Sequence, residues 1–142
     1  GALSTKAAYT LPLMIDAIIT GNDRPLTLGY SNRPLSGWGM HHYGFISNYD
    51  WAKKPGDFVV KDVYVNYGMD YDRTIPSASG DETEVSWIIH RDYMAVLVNG
   101  QVVHYCENMP YMHFDVPAMP VRIGSVDGIW AKVKSLTVTE LE

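Results

Sequence analysis

The sequence predicts an all-β fold, a two-sheet antiparallel β-sandwich of the jelly-roll kind. Three observations carry this. Glycine and proline punctuate the chain at short intervals, β-branched and aromatic residues fill the segments between them, and Asn99-Gly100 separates two apolar runs. Many short strands joined by tight turns suit a sandwich or barrel rather than a helical bundle.

The expected strands are 9–20, 25–31, 43–49, 57–67, 84–90, 93–99, 101–106, 121–126 and 130–141. Only residues 6–19 compete as a helix, because Leu11, Met14, Ile15 and Ile18 fall at helical spacing. Pro12 removes a helix hydrogen bond in the middle of that run, which favours a strand. Val85 to Ile89 reads as a strand and Arg91-Asp92 as a short turn. The next strand ends at Asn99-Gly100, whose residues tolerate the positive φ of a type I′ turn. Gln101 to Cys106 returns antiparallel, completing a meander. Met94, Val96 and Val98 share one face of its central strand and Ala95 and Leu97 the other, so that strand is covered on both sides or faces a groove. From Leu136 onward the last segment alternates, with Leu136 and Val138 inward and Thr137 and Thr139 outward.

At 142 residues the chain has the size of a single domain, 1–142, with a self-sufficient core. It opens Gly1-Ala2-Leu3-Ser4 without a methionine, as a domain excised from a larger protein would, and residues 1–6 read as a tag or linker. The formal charge is −5 and no run of Lys or Arg occurs, so the electrostatic footprint of a nucleic-acid binder or a polybasic membrane patch is missing. No apolar run reaches the roughly 20 residues of a membrane-spanning helix. The lone Cys106 sits in an apolar strand and reads as a buried, inert thiol. His41 and His42 are adjacent, so on a strand they point to opposite faces and cannot chelate one metal together.

The run from Val85 to Gly100, with Pro120-Val121-Arg122-Ile123-Gly124 and the closing strand after it, resembles the late strands of concanavalin A-like lectin/glucanase domains. That superfamily includes galectins, laminin-G-like domains and legume lectins. Asn48, Trp51 and the ending from Val133 to Leu141 also resemble bacterial jelly-roll domains that are appended to larger proteins and whose ligands are undefined. The resemblance implies the jelly-roll fold and a non-catalytic carbohydrate-binding role, in an extracellular or cell-surface setting rather than the cytoplasm. The family's site motifs are absent. Galectins read galactose with His-x-Asn-x-Arg and Trp-Gly-x-Glu-x-Arg strands, of which Asn32-Arg33 and Trp38-Gly39 are only fragments. Asp70, Asp72, Asp81 and Glu82 mimic a calcium loop without its signature, so no cofactor is expected and calcium has no motif behind it. Laminarinase-like hydrolases need Glu-x-Asp-x-(x)-Glu, and the nearest run, Asp81-Glu82-Thr83-Glu84, lacks the third carboxylate at that spacing.

The ligand-binding candidates are Tyr30, Asn32, Arg33, Trp38, His42, Tyr43, Asn48 and Trp51. Flat aromatics stack on the apolar face of a pyranose while Asn, Arg and His make directional bonds to its hydroxyls. Trp38 between Gly37 and Gly39 suits a loop tip, and suits equally a lid over the sandwich end. Trp51 admits the same two readings, whereas Trp87 reads as core. The partner expected is an oligosaccharide or glycan. Two alternatives stay open: a protein-interaction or assembly domain, and a glycoside hydrolase with an atypical carboxylate pair.

Overall fold

The computed structural model describes residues 2–20, 25–32, 43–48, 54, 56–65, 68–70, 75–78, 80–107, 116–124 and 132–142. All regular structure in them is β. The strands are β1 (Ala2–Ser4), β2 (Leu13–Thr20), β3 (Leu26–Tyr30), β4 (Tyr43–Ser47), β5 (Asp57–Phe58), β6 (Val60–Val65), β7 (Gly68–Asp70), β8 (Ser77–Ala78), β9 (Glu82–Ile89), β10 (Tyr93–Val98), β11 (Gln101–Glu107), β12 (Val121–Gly124) and β13 (Lys132–Glu140). One sheet has the order β1-β12-β3-β4-β6-β7, the other β11-β10-β9-β2-β13, and β5 pairs with β8 separately. Every pairing is antiparallel.

The core lies between the inner faces of the two large sheets. Leu13, Ile15, Ala17 and Ile19 face inward from β2, and Val85, Trp87 and Ile89 from β9. Leu26, Leu28 and Tyr30 meet them from β3, with Tyr43 and Phe45 from β4. Period-2 alternation decides which side chains go there, so β2 and β9 bury every second residue, whereas β3 is buried on both faces. Trp87 and Phe45 join the sheets edge to face, with ring centroids 5.1 Å apart. The assignment of Trp87 and Cys106 to the interior holds, since both are buried.

The meander of β9, β10 and β11 forms as the sequence dictates. Asn99 (φ 49) and Gly100 (φ 81) hold the left-handed conformations of the turn. The Asn99 side chain also accepts the Glu84 N–H at 2.9 Å, tying the turn back to β9. An added Cβ at Gly100 would meet nothing within 4 Å, so only backbone strain opposes a side chain there. Gly100→Ala is therefore expected to cost about 1–2 kcal/mol in urea unfolding, the left-handed penalty alone.

Several expectations are revised. Residues 2–4, read as part of a tag or linker, form β1 against β12. The first long strand begins at Leu13 rather than Tyr9, directly after Pro12. Tyr9 makes only an isolated bridge to Met119. The expected strand 57–67 is divided into β5 and β6.

Candidate functional site

The outward face of the six-stranded sheet carries one cross-strand row through consecutive registers: Ser4, Arg122, Gly29, Gly44, Tyr64. Tyr43, Val63 and Val65 beside this row are fully buried on the inner face, so Tyr64 turns outward and is half-buried. Lys61, opposite Ile46 on β6, is exposed. The two glycines place no side chain between Tyr64 and Arg122 across three strand spacings, roughly 14 Å, and both glycines are themselves buried. Arg122 is held in place, donating from Nε to the Ser31 carbonyl at 2.9 Å and from Nη2 to the Asn32 carbonyl at 3.2 Å. Along β3 this face is sheltered, since Thr27 is 2% and Ser31 1% exposed. Exposure returns at Asn32 on one flank and at Lys61 on the other.

The sequence candidates divide into three groups. Arg33, Trp38, His42 and Trp51 lie outside the described residues. Tyr30 and Tyr43 sit in the core, both fully buried, with ring centroids 6.0 Å apart. Burial pushes both phenols up to about 12. The Tyr30 hydroxyl donates to the Tyr9 carbonyl at 2.5 Å, whereas among the described residues the Tyr43 hydroxyl finds no acceptor. Asn48 is also buried, with φ 58, and its Oδ1 accepts the Val59 N–H at 3.1 Å, closing the connection from β4 toward β6. These three candidates are therefore placed as fold-forming groups, and Asn32 is the one described candidate on the surface.

The candidates also do not spring from one place. The connection bearing Arg33, Trp38 and His42 leaves β3 after Asn32 and rejoins the sheet at Tyr43. The connection bearing Trp51 leaves from Asn48, at the other end of β4. Five residues of extended chain separate these anchoring points, roughly 17 Å. By sequence these candidates form one cluster, whereas the described residues place the starts of the two connections at opposite ends of β4.

A second aromatic group lies on the outward side of the five-stranded sheet. The rings of His90 and Tyr93 stack with centroids 4.9 Å apart, and those of Tyr93 and Tyr105 with centroids 5.8 Å apart. Such stacking turns the rings toward one another rather than offering them as a platform. Tyr105 donates its hydroxyl to Glu107 at 2.9 Å. On β9, Glu82 and Glu84 project outward on either side of buried Thr83, and Lys134 pairs with Glu82 at 2.9 Å.

No protein-family model and no curated protein matches the sequence. Among solved structures the chain is similar to galectins. Sheep galectin-11 in complex with glycerol aligns with a TM-score of 0.57 at 11% identity, over 98% of this chain and 96% of that one. Toad ovary galectin in complex with thio-digalactose gives 0.59 at 10%, over 97% and 98%. Xenopus laevis galectin-Ib gives 0.60 at 9%, over 98% and 100%. The chain thus has a galectin-like two-sheet antiparallel β-sandwich fold. At these identities the likeness is one of fold.

Proposed function

We propose that the chain is a non-catalytic carbohydrate-binding module whose site is the outward face of the six-stranded sheet, centred on Tyr64. The observation that carries this reading is the row in which half-buried Tyr64 and Arg122 flank Gly29 and Gly44, which are buried and carry no side chain. A pyranose has an apolar face and a polar rim. The Tyr64 ring would take the first, and Lys61 and Asn32 would bond hydroxyls at the rim. The connection carrying Arg33, Trp38 and His42 joins the sheet at the end where Asn32 lies, so those candidates belong to this reading as rim contributions. Trp51, on the connection that begins after Asn48, is a further candidate in this reading.

The galectin-like fold supports the same reading. Toad ovary galectin is described in complexes with thio-digalactose and with N-acetylgalactose, which makes galactose-type sugars the first probes. The sequence lacks the galectin His-x-Asn-x-Arg strand, so different residues must recognise whichever sugar binds. The affinity expected of such an open site is micromolar to millimolar, roughly −8 to −4 kcal/mol.

Calorimetric titration with galactosides and pooled oligosaccharides, with calcium and with a chelator, tests this. Tyr64→Ala is expected to weaken binding at least tenfold, about 1.4 kcal/mol or more. Loss in Trp38→Ala with none in Tyr64→Ala would move the site to the connection after Asn32. Absence of binding to every pool would end the carbohydrate reading.

A further inference from the structure

β13 is the edge strand of the five-stranded sheet, bonded to β2 along one side and open along the other. The Leu141 N–H donates to the Pro12 carbonyl at 2.9 Å. Antiparallel pairing reverses the direction of these groups at each successive residue, so Ser135, Thr137 and Thr139 also face β2. Leu136, Val138 and Glu140 then turn their N–H and C=O groups to the open side. Leu136 and Val138 pack against the core yet are only partly buried. Beside them lies a cavity of about 420 Å³ walled by Leu3, Val121, Ile123, Val133 and Leu136.

The sequence along this edge is its own complement. Reversed about Thr137, it matches itself in polarity and opposes itself in charge. Lys132 falls against Glu142, Lys134 against Glu140, Ser135 against Thr139 and Leu136 against Val138. All four charged side chains are exposed. Lysines on an edge ordinarily discourage strand pairing. Here the cations occupy one end of the strand and the anions the other. A parallel pair of copies sets like charges together, whereas an antiparallel pair sets each lysine against a glutamate.

We propose that the chain forms a two-fold dimer in which β13 pairs antiparallel with β13 of a second copy, centred on Thr137. A two-fold contact requires one surface that complements itself, a condition that binding a foreign strand does not impose on β13. Backbone parity agrees with the charges. Leu136 lies opposite Val138 of the second copy, and both turn their backbone groups to the open side, so they exchange two N–H···O=C bonds. Moving the axis to Val138 sets Glu140 against Leu136, and moving it to Leu136 sets Lys134 against Val138. Charge therefore selects Thr137 as the centre.

Contacts within one copy permit these pairings. Lys134 sits at the irregularity between Val133 and Ser135 and pairs with Glu82 at 2.9 Å. Both groups of that pair are exposed, so the lysine exchanges it at little cost or bridges both carboxylates. Glu140 accepts the Thr10 hydroxyl at 3.0 Å through Oε2, and Glu142 lies 3.9 Å from His90. The regular stretch from Ser135 to Thr139 supplies the ladder, and the long side chains on either side of it reach across. Leu136 and Val138 gain the cover they lack, each from its counterpart.

Sedimentation of the full chain at low salt tests this. A concentration-dependent dimer is expected, weakened by added salt. Lys134→Glu and Glu140→Lys should each weaken it at least tenfold. Combining the two substitutions should restore it, because the exchanged charges again oppose. Circular dichroism reports whether each variant folds. Thr137→Cys reads the register independently of charge. At the axis Thr137 meets its counterpart across a non-hydrogen-bonded pair, with Cα atoms about 4.5 Å apart, within reach of a disulfide. Mild oxidation should therefore link two Thr137→Cys chains. Thr139→Cys, four residues or about 14 Å from its counterpart, should stay unlinked. Cys106 is buried and takes no part. A chain that remains monomeric up to about 1 mM overturns the proposal. So does a double variant no more dimeric than either single one, or equal linking of the two cysteine variants. The carbohydrate titration involves the outward face of the other sheet and stands or falls separately.

Discussion

Trp87→Ala is expected to cost about 3–5 kcal/mol in urea unfolding followed by far-ultraviolet circular dichroism, the largest loss from truncating any one buried side chain among the described residues. Trp87 is fully buried on β9, paired with Ile15 of β2 and Val96 of β10, and it reaches across to Phe45 of β4. Truncation removes more apolar surface than any other fully buried side chain offers. It also deletes the edge-to-face contact joining the sheets, which contributes about 0.5–1.5 kcal/mol beyond area burial. For a domain with about 5–15 kcal/mol of total stability, that is a large fraction. Trp87→Phe should cost clearly less. Among the described residues the indole N–H has no acceptor, so phenylalanine gives up no hydrogen bond and removes a desolvated donor. Equal losses in the two variants would mean that neither the filled volume nor an aromatic ring that phenylalanine retains governs the site, but the indole itself.

Trp87 was legible in the sequence because its surroundings are local. The strand containing it, the turn at Arg91-Asp92, the next strand and the Asn99-Gly100 turn follow one another directly, so alternation and turn chemistry define them together. The order of the large sheets is a different matter. β12 inserts between β1 and β3, and β13 closes on β2, through contacts between residues far apart in the chain. Strands as short as β1, β7 and β8 contain too few residues to display a period. They form because neighbouring strands offer them hydrogen bonds.

The candidate site was less legible, and the reason is parity. Composition drew attention to Tyr30, Tyr43 and Asn48 as polar-tipped groups, yet a strand residue's face is decided by its register rather than by its type. Tyr43 shares parity with Phe45, and Tyr30 with Leu28 and Leu26, all of them inward. That alternation was the available signal for placing both tyrosines in the core. Tyr64 lacked one. Its exposure depends on facing away from Val63 and Val65, and its setting depends on Gly44 and Gly29 becoming its neighbours across two strands. No local pattern connects these three residues.

The same two buried tyrosines give the second large effect, a fall in stability between about pH 10 and 12. Desolvation raises both phenols to about 12 in the folded chain, against 10.0 for an ordinary tyrosine. Above pH 10 the unfolded chain releases these protons while the folded chain retains them. The unfolded state then binds fewer protons, and the stability slope with pH is negative. The contribution is intact below pH 10 and is lost progressively as pH rises toward 12. A rise of this size corresponds to between about 2 and 3 kcal/mol for each phenol, or about 5 kcal/mol for the pair. Urea midpoints measured across this range should fall accordingly, and Tyr43→Phe and Tyr30→Phe should each flatten the fall. At neutral pH the variants should separate. Tyr43→Phe removes a buried hydroxyl with no acceptor among the described residues and should be neutral or stabilising by about 1 kcal/mol. Tyr30→Phe deletes the bond to the Tyr9 carbonyl and should cost about 1–2 kcal/mol. A profile that stays flat to pH 12 in the unmodified chain would mean that both phenols reach water, contrary to their burial between the sheets.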